Sequence, residues 1–196
     1  MAIVGLLLAA GFSRRFGAAN KLTQPLADGR AMGLVAAQHL FAAIPYSIAV
    51  IRPDEDELAE LFTAAGLHVV RCAPQQQDMA DSLAAAVNYC TDIALTVTGF
   101  VIALADMPYI DASSYARVVH ELEQGEQIVI PTYQGQRGHP VGFAASFQSE
   151  LANLHGDSGA RALIKKYPQA VRLVDGDDPG ILVDIDTIDE LKQLQR

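Results

Sequence analysis

Short apolar segments alternate with longer amphipathic segments up to residue 130, and this rhythm is the strongest constraint on the fold. The predicted strands are residues 3–8, 47–51, 68–72, 100–104 and 127–130. The predicted helices between them are residues 31–43, 54–65, 79–90 and 111–123. The strands are apolar almost throughout, which is typical of parallel strands covered by helices on both faces. The sequence therefore predicts an α/β fold with a mostly parallel sheet in a three-layer α/β/α arrangement.

The rhythm breaks in the last third of the sequence. Residues 132–141 are polar and glycine-rich, so they are predicted to form a loop. Two helical segments are predicted next, one near Phe147 and one over residues 158–166. A last strand over residues 181–185 and a helix from Thr187 complete the predicted elements.

Composition narrows the classes of protein and of partner. The 196 residues fit one domain, predicted over residues 1–196, and they carry a formal net charge of −9. That charge argues against a nucleic-acid partner, because such surfaces need clustered Lys and Arg. No segment reaches about 18 apolar residues, so no membrane partner is expected.

The two cysteines and the first apolar segment bear on the compartment. Cys72 and Cys90 form no CxxC or Cys/His cluster, and both are expected to pack in the core as reduced thiols. The segment 3–10 has no basic region before it, so it is interpreted as a strand rather than a signal peptide. A cytoplasmic protein is therefore expected.

A loop rich in small residues follows the first predicted strand. Ala9, Ala10 and Gly11 allow a ligand to approach the backbone closely, and the N–H groups of such a loop can bind phosphate oxygens. Arg14, Arg15 and Lys21 add positive charge beyond the carboxyl end of a strand, where α/β proteins bind ligands. Neither the Walker spacing nor the dinucleotide spacing of glycines is present. The loop predicts phosphate binding; the alternative is a polar connection with incidental glycines.

Asp106 directly follows the fourth predicted strand, in the segment Ala-Asp-Met-Pro. Magnesium prefers one or two carboxylates together with phosphate oxygens and water, so a carboxylate at a strand end beside the first loop is well placed to bind it. The alternative is that Asp106 only begins a turn before Pro108.

Two further aspartates lie near the end of the chain. Asp184 and Asp186 share a face if the segment is extended, and one or both would then meet Asp106. The alternative is a helix cap, in which Asp186 or Thr187 caps the last helix and Asp189 or Glu190 completes it.

Two more segments carry polar groups that suit an anion. Arg137 and His139 lie in a glycine-rich segment and offer hydrogen bonds to a phosphate or a pterin, although a single histidine is more often structural. Asp157 or Ser158 can cap a helix that turns Arg161 towards anions; the alternative is a cap and a surface arginine.

Taken together, these segments resemble the MobA-like nucleotidyltransferases over nearly the whole chain. The motifs follow the family's order: Leu8-Ala9-Ala10-Gly11-x-Ser13-x-Arg15-Phe16-Gly17 with Lys21, then Met79-x-x-Ser82-Leu83, Asp106-Met107-Pro108, Arg137-Gly138-His139-Pro140-Val141, Gly156-Asp157-x-Gly159-Ala160-Arg161 and Asp184-x-Asp186-Thr187. The resemblance is strongest to molybdenum cofactor cytidylyltransferases. It implies a Rossmann-like fold of the nucleotide-diphospho-sugar transferase type.

The resemblance implies a reaction and its partners. CMP would pass from CTP to a molybdopterin cofactor with release of pyrophosphate, with Mg²⁺ as cofactor and a molybdoenzyme receiving the product. CTP is favoured because the guanylyl-transferring branch usually has Gly where this chain has Ala10.

The resemblance also assigns roles to residues. The nucleotide would be bound by Leu8, Ala9, Ala10, Gly11, Ser13, Arg15, Lys21 and Ser82, with Arg15, Lys21 and Asp106 as the catalytic set. The metal would be bound by Asp106 and Asp186. The acceptor would be bound by Arg137, His139, Pro140, Asp157 and Arg161.

The sequence departs from the family pattern at two places and leaves alternatives open. Asp78 stands where the family often has Gly, and Ile188 where it usually has Pro. The alternatives are GTP as donor, a sugar phosphate or isoprenoid alcohol phosphate as acceptor, and a non-catalytic carrier of the molybdenum cofactor. A dinucleotide oxidoreductase is disfavoured because the glycine fingerprint is missing.

Overall fold

The computed structural model describes residues 2–11, 16, 20–76, 78–156 and 159–194. Eight strands in this part of the chain form one sheet: β1 (Ala2–Leu8), β2 (Ser47–Ile51), β3 (His68–Arg71), β4 (Val97–Leu104), β5 (Ile128–Tyr133), β6 (Gln136–Arg137), β7 (Val141–Ala144) and β8 (Val171–Asp175). The helices are α1 (Met32–Ala43), α2 (Asp56–Ala64), α3 (Met79–Asp92), α4 (Ala112–Glu123), α5 (Gln148–Ala152), α6 (Arg161–Lys166) and α7 (Ile188–Leu194). The predicted α/β class is confirmed.

The first four strands of the sheet run parallel, in the order β3-β2-β1-β4. Leu8, the last residue of β1, pairs with Val50 of β2 on one side and with Leu104 of β4 on the other. Parallel strands end at the same edge of a sheet, so the loop after β1 and the turn after β4 emerge side by side. This edge carries the two segments that the sequence singled out for phosphate and metal.

Alternate residues of each strand pack on opposite faces, which gives the sheet two hydrophobic cores. On one face, Val101 and Ala103 of β4 pack with α1, α2 and α4. On the other face, Phe100 and Ile102 pack with α3, α5 and α6. Cys72 and Cys90 are buried and unpaired thiols in the second core, as predicted.

Half of residues 132–141, predicted as a loop, lie in strands. β5 continues to Tyr133, and β6 and β7 both pair antiparallel with it, so they are two halves of one interrupted strand. Between the two pairings the interrupted strand has two more residues than β5. Residues 134–135 form the turn between β5 and β6, and residues 138–140 lie outside the strands. The Gly138 N–H still donates to the Pro131 carbonyl at 2.9 Å, so the chain departs from the sheet after that bond. The sequence did not predict the strand made of β6 and β7, because its glycines interrupt the apolar pattern.

The last predicted strand, over residues 181–185, is wrong. Residues Pro179–Leu182 form a 3₁₀ helix, and the chain from 183 to 186 has no regular structure. Its backbone groups bond elsewhere: the Ile181 carbonyl accepts from the His139 N–H at 3.0 Å, and the Ile185 N–H donates to the Asp106 carbonyl at 3.0 Å. The sheet instead gains β8, which pairs parallel with β5 and which the sequence analysis missed because its apolar residues are interrupted by Arg172.

Asp178 fastens this C-terminal segment to the start of α4. One carboxylate oxygen accepts from the Gly180 N–H at 2.8 Å, and the other accepts from the Asp111 N–H at 2.9 Å and the Ser114 hydroxyl at 2.7 Å. These bonds fix where the chain from residue 179 onwards crosses the sheet edge. None of the helices in the described residues is long and apolar enough to span a membrane.

Candidate active site

Lys21 is held in place by a short helical turn. It begins the 3₁₀ helix Lys21–Thr23, and the Asn20 side chain caps that turn by accepting from the Leu22 N–H at 2.9 Å. The Asn20 amide also donates to Glu55 at 2.6 Å, which ties the turn to the segment after β2. The Lys21 side chain is only 10% exposed, so its position is set by packing as well as by charge.

The Lys21 ammonium bridges two carboxylates at the sheet edge. It lies 2.8 Å from Oδ2 of Asp106 and 3.2 Å from Oδ1 of Asp186. The hydrogen bond from Ile185 to the Asp106 backbone aligns the C-terminal segment, so that the next residue faces the Asp106 side chain. Three residues that are far apart in the sequence therefore form one cluster of opposite charges.

The cap of α7 explains why Asp186 can take part in this cluster. The Thr187 hydroxyl accepts from the Glu190 N–H at 3.2 Å, and Glu190 accepts in return from the Thr187 N–H at 2.9 Å and from the Asp186 N–H at 2.7 Å. Thr187 and Glu190 thus form a capping box. The carboxylate of Asp186 is directed to Lys21 rather than to the helix end.

The donor set around Asp106 suits a divalent ion that arrives with a phosphate. Oδ1 of Asp106 is buried and has no hydrogen-bond partner in the described part of the chain. Within those same residues, no group of three or more His, Cys, Asp and Glu side chains is arranged to hold a metal. Two carboxylates without a full protein cage are the ligand set that magnesium takes when phosphate oxygens and water complete its coordination. The residues present therefore fit the predicted metal.

A small cleft of about 180 Å³ opens beside this charge cluster. It is lined by predicted nucleotide residues from the end of β1 and the loop after it, together with the cluster: Leu8, Ala9, Ala10, Gly11, Lys21, Asp106 and Asp186. Ser13 and Arg15, predicted to bind the nucleotide, lie outside the described residues. The structure brings the other members of that set together.

Ser82 also lines the small cleft, in the first turn of α3. Both of its donors already bond within the helix, since its N–H and its hydroxyl donate to the Asp78 carbonyl at 3.1 and 3.2 Å. Ser82 therefore contributes a small side chain and a hydroxyl oxygen to the wall of the cleft. Asp78 and Met79, which were not predicted, border the cleft beside it.

A larger cleft of about 450 Å³ lies next to the small one and shares Leu8, Met79 and Leu104 with it. Its walls are mostly aliphatic, and its polar residues include Arg137 and His139. The predicted acceptor residue Arg161 also lines it, from α6, and residues that were not predicted for the acceptor line it as well, among them Gly138, Lys165, Leu182 and Asp184.

One predicted acceptor residue is placed away from this cleft, and another falls outside the described residues. Pro140 is buried, follows His139 through a cis peptide bond, and lines neither cleft. Asp157 lies outside the described residues. The structure thus groups three of the five predicted acceptor residues.

The pKa of His139 depends on charged residues of both clefts. Burial lowers the pKa of its imidazole, the charges of Asp106 and Asp184 oppose that shift, and the charge of Arg161 adds to it. Its Nδ1 is buried and finds no partner among the described residues. At neutral pH the imidazole is therefore neutral, and it offers a hydrogen-bonding atom rather than a charge.

Asp184 and Asp186 serve different clefts. Asp186 lines the small cleft and contacts Lys21, whereas Asp184 lines the large cleft. They were expected to share a face of an extended segment, and the irregular backbone over residues 183–186 separates them instead. Their spacing in the sequence gave no signal that would tell the two apart.

Comparison with known proteins places this arrangement in a family. Residues 5–171 match the family described as MobA-like NTP transferase domain. The chain belongs to the MobA-like NTP transferase family. It is thus a nucleotidyltransferase, and the matched range includes the loop after β1, Asp106 and the residues 137–141.

Two curated relatives match this MobA-like transferase over almost its full length. Purine catabolism protein PucB of Bacillus subtilis (strain 168) is 27% identical over 205 residues, which cover 99% of this chain and 96% of PucB. Nicotine blue oxidoreductase of Paenarthrobacter nicotinovorans is 24% identical over 200 residues, which cover 98% of this chain and 96% of the relative.

Solved structures share the fold of the transferase. The homologue of Rv0371c from Mycobacterium sp. strain JC1 is 30% identical, with a TM-score of 0.78 over 98% of this chain and 94% of the other. Rv0371c of Mycobacterium tuberculosis H37Rv, solved as a complex with manganese, is 26% identical, with a TM-score of 0.77 over 100% of this chain and 98% of the other.

We expect Gly138→Ala to destabilise the transferase by about 1–3 kcal/mol, the usual cost of inserting a methyl group into a packed site. A Cβ at residue 138 would overlap the Ile181 carbonyl oxygen and lie 2.8 Å from the Ile181 side chain. Gly11→Ala is the control, because a Cβ there meets no atom of the described residues within 4 Å. Urea unfolding measures both. Equal stability of Gly138→Ala and wild type would contradict the close approach of the two segments.

Proposed function

We propose that this protein transfers CMP from CTP to a molybdopterin-type cofactor, with Mg²⁺ as the metal and pyrophosphate as the second product. The observation that carries the proposal is the pair of adjoining clefts. The small one holds a charge cluster suited to a metal–triphosphate, and the large one holds, on an apolar wall, cations that have no partner among the described residues. Residues 1–196 would act as one nucleotidyltransferase domain.

The proposed reaction needs no covalent link to the protein. An oxygen of the acceptor phosphate forms a bond to the α-phosphorus of CTP, and the bond from that phosphorus to the oxygen of the β-phosphate breaks. The electron pair leaves with pyrophosphate. The protein contributes alignment of the two phosphates and neutralisation of their charge.

In the small cleft, Lys21 would bind phosphate oxygens of the triphosphate once they displace it from the carboxylates. Arg15 and the backbone of residues 8–11 would complete the phosphate contacts. Asp106 and Asp186 would hold the metal ion, which supplies charge neutralisation when bound. Support comes from the short contacts of the Lys21 ammonium and from the buried, unpartnered oxygen of Asp106.

In the large cleft, Arg137 and Arg161 would bind the acceptor phosphate. The neutral His139 would present its imidazole to a polar edge of the acceptor. A pterin with a phosphate side chain matches this cleft, because it combines an anionic group with a flat body that can lie against aliphatic walls. Asp157 stays a predicted acceptor contact. The product would pass to a molybdoenzyme.

The names of the two curated relatives suggest different activities. PucB is named for purine catabolism and the other relative for an oxidoreductase activity on nicotine blue. We favour transfer over oxidoreduction because the clefts present cations and carboxylates, and the glycine fingerprint of dinucleotide binding is missing. A cytoplasmic location stays a prediction.

Pyrophosphate release tests the proposal. The protein is incubated with Mg²⁺, the isolated molybdopterin cofactor and each of the four ribonucleoside triphosphates in turn. We expect pyrophosphate with CTP, and a product whose mass equals that of the cofactor plus CMP. Release with GTP only would overturn the choice of base, and release only with a sugar phosphate in place of the cofactor would overturn the acceptor. Cofactor binding without any pyrophosphate would favour the carrier alternative.

A further inference from the structure

Three cations in the large cleft have no partner within the described residues. The side chains of Arg137, Arg161 and Lys165 line the cleft, and none of them forms a hydrogen bond or an ion pair with the described part of the chain. Most other cations in the described residues have a partner, such as Arg30 with Asp28 at 2.6 Å, and Lys192 lies outside the cleft. In a chain with a net charge of −9, unpaired cations in a cleft indicate a bound anion.

Lys165 was not predicted from the sequence, and α6 explains its position. Arg161, Ile164 and Lys165 stand at relative positions i, i+3 and i+4, so they share one face of the helix, and all three line the cleft. Leu163 is 5% exposed and packs into the core on another face. The helix therefore presents a cation, an aliphatic side chain and a second cation to the same cleft.

The neighbouring residue, Lys166, forms an ion pair outside the cleft. The Lys166 ammonium lies 2.7 Å from Glu150, and it does not line the cleft. Two adjacent residues of the same type thus have different partners: one carboxylate for Lys166, and none among the described residues for Lys165. This makes Lys166 a matched control for Lys165.

The spacing of Arg161 and Lys165 along α6 indicates how far apart two anionic groups of a ligand would lie. Arg161 and Lys165 are four residues apart, which is about 6 Å along a helix axis. Ile164 lies beside Lys165 on the same face, so the surface near the two cations is apolar. A ligand that uses both cations would carry two anionic groups roughly 6 Å apart on an apolar body.

We propose that Lys165 binds a second anionic group of the acceptor, separate from the phosphate that Arg161 binds. This inference rests on the proposed function in so far as the large cleft is taken as the acceptor site. Lys165 is then a specificity-determining residue: it favours acceptors with two anionic groups over those with a phosphate alone. The apolar body of the acceptor lies over Ile164.

Two small probes test this without triphosphate or cofactor. Phenyl phosphate carries one anionic group, and 4-carboxyphenyl phosphate adds a carboxylate across the ring. Binding of each is measured by nuclear magnetic resonance titration, which detects weak complexes. We expect wild type to bind the carboxylated probe about fivefold more tightly, a preference typical of one exposed ion pair.

Three variants assign the preference to a residue. Lys165→Met should bind both probes equally, Lys165→Arg should restore the preference, and Lys166→Met should keep it. A preference that survives in Lys165→Met overturns the proposal, and so does a wild-type protein that binds neither probe or binds both equally. Failure of the pyrophosphate assay would count against the proposed function instead, because the probes report the cleft whether or not transfer occurs.

Discussion

Asp106→Asn should reduce transfer by at least about a hundredfold while the protein stays folded. The substitution removes the charge that faces the Lys21 ammonium at 2.8 Å and weakens the proposed metal ligand, and losing one charge-stabilising group in an active site commonly costs 10²–10³ in turnover. The fold should persist because asparagine has the same shape, and the bond from Ile185 reaches the Asp106 backbone rather than its side chain. Pyrophosphate release at saturating CTP is the measurement.

Asp111→Asn is the matched control for this prediction. Asp111 lies in the same connection after β4, is exposed, and lines neither cleft. It should retain wild-type turnover and unfold within about 1 kcal/mol of wild type, as surface substitutions usually do. Wild-type turnover in Asp106→Asn would remove Asp106 from the chemistry.

Lys21→Met should bind Mn²⁺ at least about tenfold more tightly than wild type when no nucleotide is present. In the structure the ammonium contacts both carboxylates, at 2.8 and 3.2 Å, so a divalent ion must compete with a fixed positive charge for the same oxygens. The ammonium and the metal ion are the like charges in this competition. Two unit charges of the same sign about 4 Å apart near a protein surface repel by about 4 kcal/mol before screening by salt. Removing the ammonium also leaves two carboxylates facing each other, which favours any cation between them.

Electron paramagnetic resonance of free Mn²⁺ measures this affinity directly, without turnover. Lys166→Met is the control, because its ammonium pairs with Glu150 away from the carboxylates. Added Mn²⁺ should also raise the melting temperature of Lys21→Met more than that of wild type, since at a given concentration a ligand that binds the folded state more tightly stabilises it more. Equal Mn²⁺ affinity in Lys21→Met and wild type would show that Lys21 does not shield the carboxylates.

The sequence predicted the parallel half of the fold well, because its strands are continuous apolar runs that match a two-sided core. β1, β2 and β4 lie within a few residues of their predicted positions. The antiparallel half was harder to predict. The strand formed by β6 and β7 leaves the sheet at residues 138–140, and its glycines resemble those of a loop. The apolar residues 181–185 resemble a strand, but their backbone bonds go to His139 and Asp106.

The same contrast holds for the candidate site. Asp106 could be predicted because a carboxylate at the end of a buried strand is a local signal. The distinction between Asp184 and Asp186 could not, since it depends on an irregular backbone and on Thr187 taking the helix cap. Lys165 and Lys166 are adjacent residues of the same type, so the local sequence does not distinguish their roles. The structure does, because Lys166 pairs with Glu150 and Lys165 lines the large cleft.

The position of Asp186 near the end of the chain determines when the charge cluster can form during synthesis. Lys21 and Asp186 are 165 positions apart, so the ribosome completes all eight described strands before the second carboxylate exists. Contacts between such distant positions form late, because the intervening chain must first be ordered. A nascent chain can therefore assemble its parallel strands while Lys21 has only one carboxylate to contact. The ion-paired cluster appears only after synthesis has passed residue 186.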